Sequence, residues 1–126
     1  MLLASSSYGQ KLSDYQWSNR IIILSDQEPG FNKAKEALEI ISEFKKELKE
    51  RDILVFLQRD GKRYDTNFNL VSTAIDKNIP QNFEGYLLIG KDGGIKSKEL
   101  YPVDIQALFA LIDGMPMRRA EMKRDN

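Results

Sequence analysis

Residues 20–26, "RIIILSD", decide the fold: three isoleucines and a leucine in succession, closed by Ser25, Asp26 and the turn signal "EPG" at 28–30. A short continuous run of β-branched and aliphatic side chains bounded in this way reads as a strand buried on both faces. Downstream the period changes. From Asn32, residues Ala34, Ala37, Leu38, Ile41, Phe44 and Leu48 recur every three or four positions, with Lys and Glu between them. That spacing predicts an amphipathic helix of about five turns, with Asn32 as N-cap. The pairs Lys35/Glu39, Lys46/Glu50 and Glu47/Arg51 stand four apart, so the charge run "EFKKELKERD" (43–52) reads as the solvated helix face and not as a binding tract.

A second apolar run, "DILVFLQ" (52–58), ends at the turn "RDGKR". Strand, helix and strand with no hairpin-length link imply a right-handed parallel βαβ unit. Asp65 or Thr66 is then read as capping a shorter helix that carries Phe68, Val71 and Ile75 and stops before Pro80. In "GYLLIGKDGGIKSKE" (85–99) two strands flank an Asp-Gly, the strongest hairpin signal in the chain. Last, Pro102 takes the first-helical position, "VDIQALFALIDG" (103–114) puts Ile105, Leu108, Phe109 and Ile112 on one stripe, and Gly114 caps the end. The expected architecture is an α/β, thioredoxin-like three-layer sandwich, β-α-β-α-β-β-α, with a mixed sheet in the order 2-1-3-4 and helices on both faces. Its domain runs over residues 12–122, between a flexible N-terminus (1–11) and a disordered tail (123–126).

Composition narrows the chemistry. The 126 residues make one domain, and nineteen acidic side chains balance nineteen basic ones, so no overall field draws nucleic acid or an anionic membrane. There is no cysteine and no histidine. Disulfides, thiolate nucleophiles and imidazole bases are excluded, leaving carboxylate, Lys, Arg, hydroxyl and Tyr groups for any reaction. No cofactor is expected. No stretch has the eighteen or so apolar residues that span a bilayer. The start "MLLASSSYGQ" lacks a charged n-region and a full apolar core, so it reads as a flexible N-terminus before a signal peptide, and the compartment stays open between cytoplasm and periplasm or exterior.

The segments "YQWSNRIIIL", "KERDILVF", "LLIGKDGGIKSK" and above all "ALIDGMPMRRAEM" resemble the P-DUDES family, over residues 12 to 122. The resemblance implies a peroxiredoxin-related thioredoxin-like fold without a known activity, found alone in bacteria and inside vertebrate extracellular proteins such as equarin and the sushi-repeat-containing proteins. Redox-active relatives of that fold carry a thiol just after the first strand, where the helix dipole lowers its pKa. The matching place here is "SDQEPGFN" (25–32), and the place of their cis-proline falls near Glu84 and Gly85, with Pro80 several residues earlier. Thiol–disulfide exchange and cysteine-based peroxide reduction are therefore excluded for this chain alone.

Three candidate sites remain. Arg118 and Arg119 beside Asp113 offer rigid forks of donors for a carboxylate or phosphate, with Pro116 stiffening the approach and Met115 and Met117 as packing plugs. The preferred alternative is that one arginine caps the preceding helix or pairs with Asp52 or Asp113, while the other is solvated. Asp26 and Glu28 after the first strand, with Asp52 before the second, offer oxygens to a hard cation, although their spacing matches no calcium loop and a polar turn is preferred. Arg20 with Trp17 and Tyr15 offers a stacking surface, yet the two aromatics read better as edge-of-core residues. The "GKDGGIK" stretch lacks the setting of a phosphate loop and is a hairpin turn. The expected function is a non-catalytic binding module for an unknown protein or small anionic ligand. The competing expectation is a small enzyme in which Asp26 acts as base and Arg118 clamps an anionic substrate.

Overall fold

The structure is a computed structural model that describes residues 11–74, 76 and 78–125. The expected flexibility of residues 1–10 and the place of Ile75 lie outside the described residues. Strand β1 (Arg20–Ser25) is buried along its whole length. It runs parallel to β2 (Ile53–Arg59) with Ile22 opposite Val55. On its other side it pairs antiparallel with β5 (Gly85–Ile89), where Ile22 faces Leu88.

The sheet has six strands in the order β4-β3-β2-β1-β5-β6, completed by β3 (Lys62–Tyr64), β4 (Leu70–Ser72) and β6 (Ile95–Glu99). The four-strand order 2-1-3-4 is corrected accordingly. Of the two extra strands, β3 comes from the end of the stretch expected to be a turn and β4 from the segment expected to be a helix. Asp60 and Gly61 both adopt positive φ (52° and 72°), the signature of a tight two-residue turn, and they fold β3 back antiparallel on β2. Past β3, the Asp65 carboxylate accepts from the amides of Asn67 and Asn69. Phe68 takes φ 66°. Short polar side chains that bond the local backbone favour such a loop over a helix, and in β4 Leu70 and Ser72 then pair with Tyr64 and Arg63, with the β-branched Val71 at the irregularity between them.

Alternation along the strands sorts the apolar side chains onto two faces. Ile22, Leu24, Ile53, Leu57, Tyr86 and Leu88 meet the three helices that cover one face. These are α1 (Asn32–Ile41), α2 (Lys45–Glu50) and α3 (Ile105–Asp113). The single long helix expected from Asn32 is broken by a 3-10 turn at Ser42–Phe44, where the Ser42 hydroxyl donates to the Glu39 carbonyl and competes with the helical ladder. The other face, formed by Ile21, Ile23, Phe56, Leu87 and Ile89, is covered by Leu12, Tyr15, Ile79 and Phe83. Among the described residues its cover is a 3-10 turn at Leu12–Tyr15 and the loop before β5, with no helix on this face where helices on both faces were expected. Trp17, expected at the core edge, is 64% exposed.

Two helix ends also differ from expectation. Pro102 follows a cis peptide bond, and α3 starts later, with Asp104 as N-cap accepting from the amide of Ala107. After Gly114 the chain enters a further helix, α4 (Pro116–Asp125), so residues 123–125 extend a helix where a disordered tail was expected. No helix among the described residues is long and apolar enough to cross a membrane.

Backbone proximity fixes one residue of the β5–β6 ladder. A Cβ added to Gly85 would collide with the carbonyl oxygen of Glu99 on β6, and backbone cannot swing aside as a side chain can. Gly85→Ala should lower unfolding free energy by about 2–3 kcal/mol, measured by urea denaturation, whereas Gly114→Ala, where a Cβ meets only ordinary contacts, should change it by less than about 1 kcal/mol.

Candidate functional site

Both ends of β1 carry a buried charge. At the C-terminal end the backbone leaves the sheet at Ser25 and Asp26 turns under the start of α1, where the first helical amides lack intrahelical acceptors. Asp26 is 0% exposed, and its carboxylate fills that gap. One oxygen accepts from the amides of Lys33 and Ala34 at 2.9 and 3.0 Å, the other from the amide of Glu28 at 2.9 Å. The residue expected to cap this helix, Asn32, is instead its first helical residue. The N-cap position belongs to Phe31 in a left-handed conformation, with no capping bond from its own side chain. A carboxylate from seven residues upstream thus performs the cap, with the helix dipole adding to three hydrogen bonds.

Around Asp26 the polar groups bond mainly to one another. Glu84 accepts from the amide of Gln27, Glu28 from the side-chain amide of Asn32, and Ser25 donates to the carbonyl of Phe83. Oxygens of Asp26, Glu28 and Glu84 lie within 4.8 Å of one another, an arrangement able to hold a hard cation. Asp52, grouped with Asp26 and Glu28 in the sequence reading, lies instead beside the N-terminal end of β1. Tyr101 donates to the Ser25 carbonyl. Burial first, and then the negative charges of Asp26 and Glu84, push the Tyr101 hydroxyl above its ordinary pKa, so it stays a donor.

At the N-terminal end stands Arg20, 1% exposed, with its guanidinium aimed at α4. It donates to both carboxylate oxygens of Glu121, at 3.1 and 3.3 Å, and to the carbonyl of Arg51. Lys91, in the β5–β6 turn, bridges Glu121 at 2.7 Å and Asp52 at 2.8 Å. Arg118 is buried; it bonds Asp113 at 3.2 Å and the Glu50 carbonyl at 3.0 Å, with Glu121 at 3.6 Å. Arg51 completes the set with two bonds to Asp113 and a guanidinium 4.4 Å above the Phe109 ring. Arg119 points away and is exposed.

The sequence-derived group therefore divides. Arg118, Asp113, Arg20 and Asp52 come together at one end of the sheet, Arg119 lies outside, and Asp26 sits at the opposite end. Six residues of strand separate Arg20 from Asp26, roughly 20 Å at the usual rise. Asp26 as base and Arg118 as clamp share no substrate across that distance, so the enzyme arrangement is not assembled. Arg51, Lys91 and Glu121 were missed. In the sequence Arg51 stands on a solvated helix face and Lys91 in a turn, and nothing local distinguishes Glu121 from a surface glutamate.

Among the described residues, then, the chain is a mixed α/β domain whose central strand has a self-satisfied charge at each end. The family model described as "Domain of unknown function (DUF4174)" matches residues 11–121, and the chain belongs to that family. No curated protein matches it. Among solved structures it is similar to the mitochondrial 2-Cys peroxiredoxin from Plasmodium falciparum, at 12% identity and a TM-score of 0.49, over 81% of this chain and 78% of that one.

The two arginines of "MPMRR" should separate in stability. Arg118→Ala leaves Asp113 and Glu121 short of a partner and should cost about 2–4 kcal/mol, while Arg119→Ala should stay within about 0.5 kcal/mol, both read from urea unfolding. Acid should act on the same network. The Arg51 hydrogen bond, aided by Arg118 and opposed by burial, holds Asp113 below the ordinary carboxylate range. Burial pushes Glu121 up, but the hydrogen bonds and charges of Arg20 and Lys91 outweigh it, and the net shift is also downward. Depressed carboxylates stabilise the fold above their unfolded pKa, and that stability is lost as the pH falls through the folded value. Unfolding free energy should therefore drop below about pH 4, and Glu121→Gln should flatten the profile there.

Proposed function

We propose that the chain is a non-catalytic binding module on a thioredoxin-like scaffold, with P-DUDES as its wider family. The observation that carries this reading is Asp26. The N-terminus of α1 is where redox-active thioredoxin-like proteins hold a thiolate, and here two of its backbone amides, with a third from the loop before it, are taken by the chain's own buried carboxylate. An anion-binding helix end that is already filled has no capacity left for a substrate or a nucleophile. The sequence, without cysteine or histidine, supplies no ordinary nucleophile–base pair elsewhere. The neighbouring strands β2-β1-β5-β6 support the scaffold reading, because β2 is parallel to β1 while β5 and β6 form an antiparallel hairpin beside it.

The contact surface is the outer side of the segment that Arg118 and Asp113 fix in place. Arg119 and Lys123 stand four residues apart on α4, both exposed, with Arg124 beside them and the exposed Met117 two turns before Arg124. A basic stripe with an adaptable apolar side chain suits an anionic partner, either an acidic protein segment or a small anion. Titrating labelled protein with a short polyglutamate peptide should shift the backbone NMR signals of residues 115–124. The double charge reversal Arg119→Glu, Lys123→Glu should weaken that response by at least about tenfold without altering the melting temperature. An equal response from both proteins would remove this surface from consideration.

A further inference from the structure

Helix α4 is held unlike the other helices. Of residues 116–124 the buried ones are Arg118 and Glu121, and no side chain of this stretch belongs to either apolar core cluster. Its attachment is electrostatic, and its centre is one carboxylate. Cations from three separate elements converge on Glu121: Arg20 from β1 through two nitrogens, Lys91 from the β5–β6 turn, and Arg118 from the first turn of α4. Fork-like bidentate contact from an arginine, a point contact from a lysine and a second guanidinium nearby are the donor set of an oxyanion site.

We propose that Arg20, Lys91 and Arg118 form an oxyanion-binding cradle that the chain's own Glu121 occupies, and that a ligand phosphate or carboxylate enters by displacing the last turns of α4. Two features favour displacement over a permanent lock. Arg118 is anchored independently, to Asp113 and to the Glu50 carbonyl, so the helix beyond residue 119 can fray without dismantling the cradle. Arg20, nearly inaccessible to water, has Glu121 as its carboxylate partner, its other bond going to the Arg51 carbonyl. Withdrawing Glu121 leaves a buried guanidinium without a counter-ion, a state that an incoming oxyanion relieves. The basic outer stripe of α4 plays no part in this site, so the cradle stands or falls separately from the surface proposed above.

The single tryptophan supplies a reporter, since the amide of Trp17 donates to the carbonyl of Lys91 at 2.6 Å and its side chain is largely exposed. Inorganic phosphate and, separately, acetate are titrated at neutral pH against sodium chloride of matched ionic strength, following Trp17 fluorescence and amide hydrogen exchange. In the wild-type chain, either oxyanion should speed exchange at residues 119–124 while leaving the strand amides of residues 21–24 protected. Glu121→Gln, which keeps the side-chain shape but removes the competing charge, should bind at least about tenfold more tightly than wild type, and adding Lys91→Met should abolish the gain. Response to phosphate alone assigns the cradle to phosphoryl ligands; response to acetate assigns it to carboxylates. Equal effects of chloride and both oxyanions, or equal affinity of Glu121→Gln and wild type, would overturn the proposal.

Discussion

A strand buried along its whole length and closed at each end by a charge imposes a strict condition, because an ion without a partner is expelled from a protein interior or neutralised there. In β1 the condition falls on Arg20 and Asp26, both almost inaccessible to water. Neither is neutralised by solvent. Asp26 draws the first turn of α1 onto itself through two amides and the preceding loop through a third, and Arg20 draws α4 across the sheet end through Glu121. The placement of two helices therefore follows from the two ends of one strand. The apolar alternation between those ends builds the core on either side.

The same condition shapes what the molecule can do. Ends of parallel strands and starts of helices are where α/β proteins ordinarily receive anions and substrates. Here the C-terminal end of β1 and the start of α1 are already occupied by Asp26, and the start of α3 by Asp104. Polar groups held in this way are rigid and well matched, yet they are not poised for proton transfer: Asp113 and Glu121 stay ionised and the Tyr101 hydroxyl stays protonated at neutral pH.

Legibility from sequence followed periodicity closely. The run at 21–24, the stripe Ala34, Ala37 and Ile41, and the stripe Ile105, Leu108, Phe109 and Ile112 are each buried where spacing placed them. The failures have distinct causes. Asp60-Gly61 carries the same hairpin dipeptide as Asp92-Gly93, but only the latter was read as a hairpin, because "YDTNFNLVS" offers a capping aspartate and a loosely helical spacing. Asp65 does bond backbone amides, in a loop rather than at a helix start. No helix is legible at the Met-Pro-Met-Arg-Arg segment because α4 has almost no amphipathic contrast; its docking is ionic and polar, and partners 30, 68 and 101 residues away leave no local mark. Arg118 and Asp113 were visible by proximity in sequence, whereas Glu121, the shared partner, was not.

The wiring of β1 also bears on how the chain folds as it is made. Its parallel neighbour β2 follows about thirty residues later, but its antiparallel neighbour β5 must wait until residue 89 has been added. During synthesis the strand that organises the core has one edge unpaired and aliphatic while more than sixty residues accumulate, a non-local closure of the slow kind. The β2–β3 hairpin, closed by a two-residue turn, protects the opposite side of the growing sheet early. Between the emergence of Leu24 and that of Ile89 the apolar strand therefore keeps one open edge, the feature through which sheets pair with other chains.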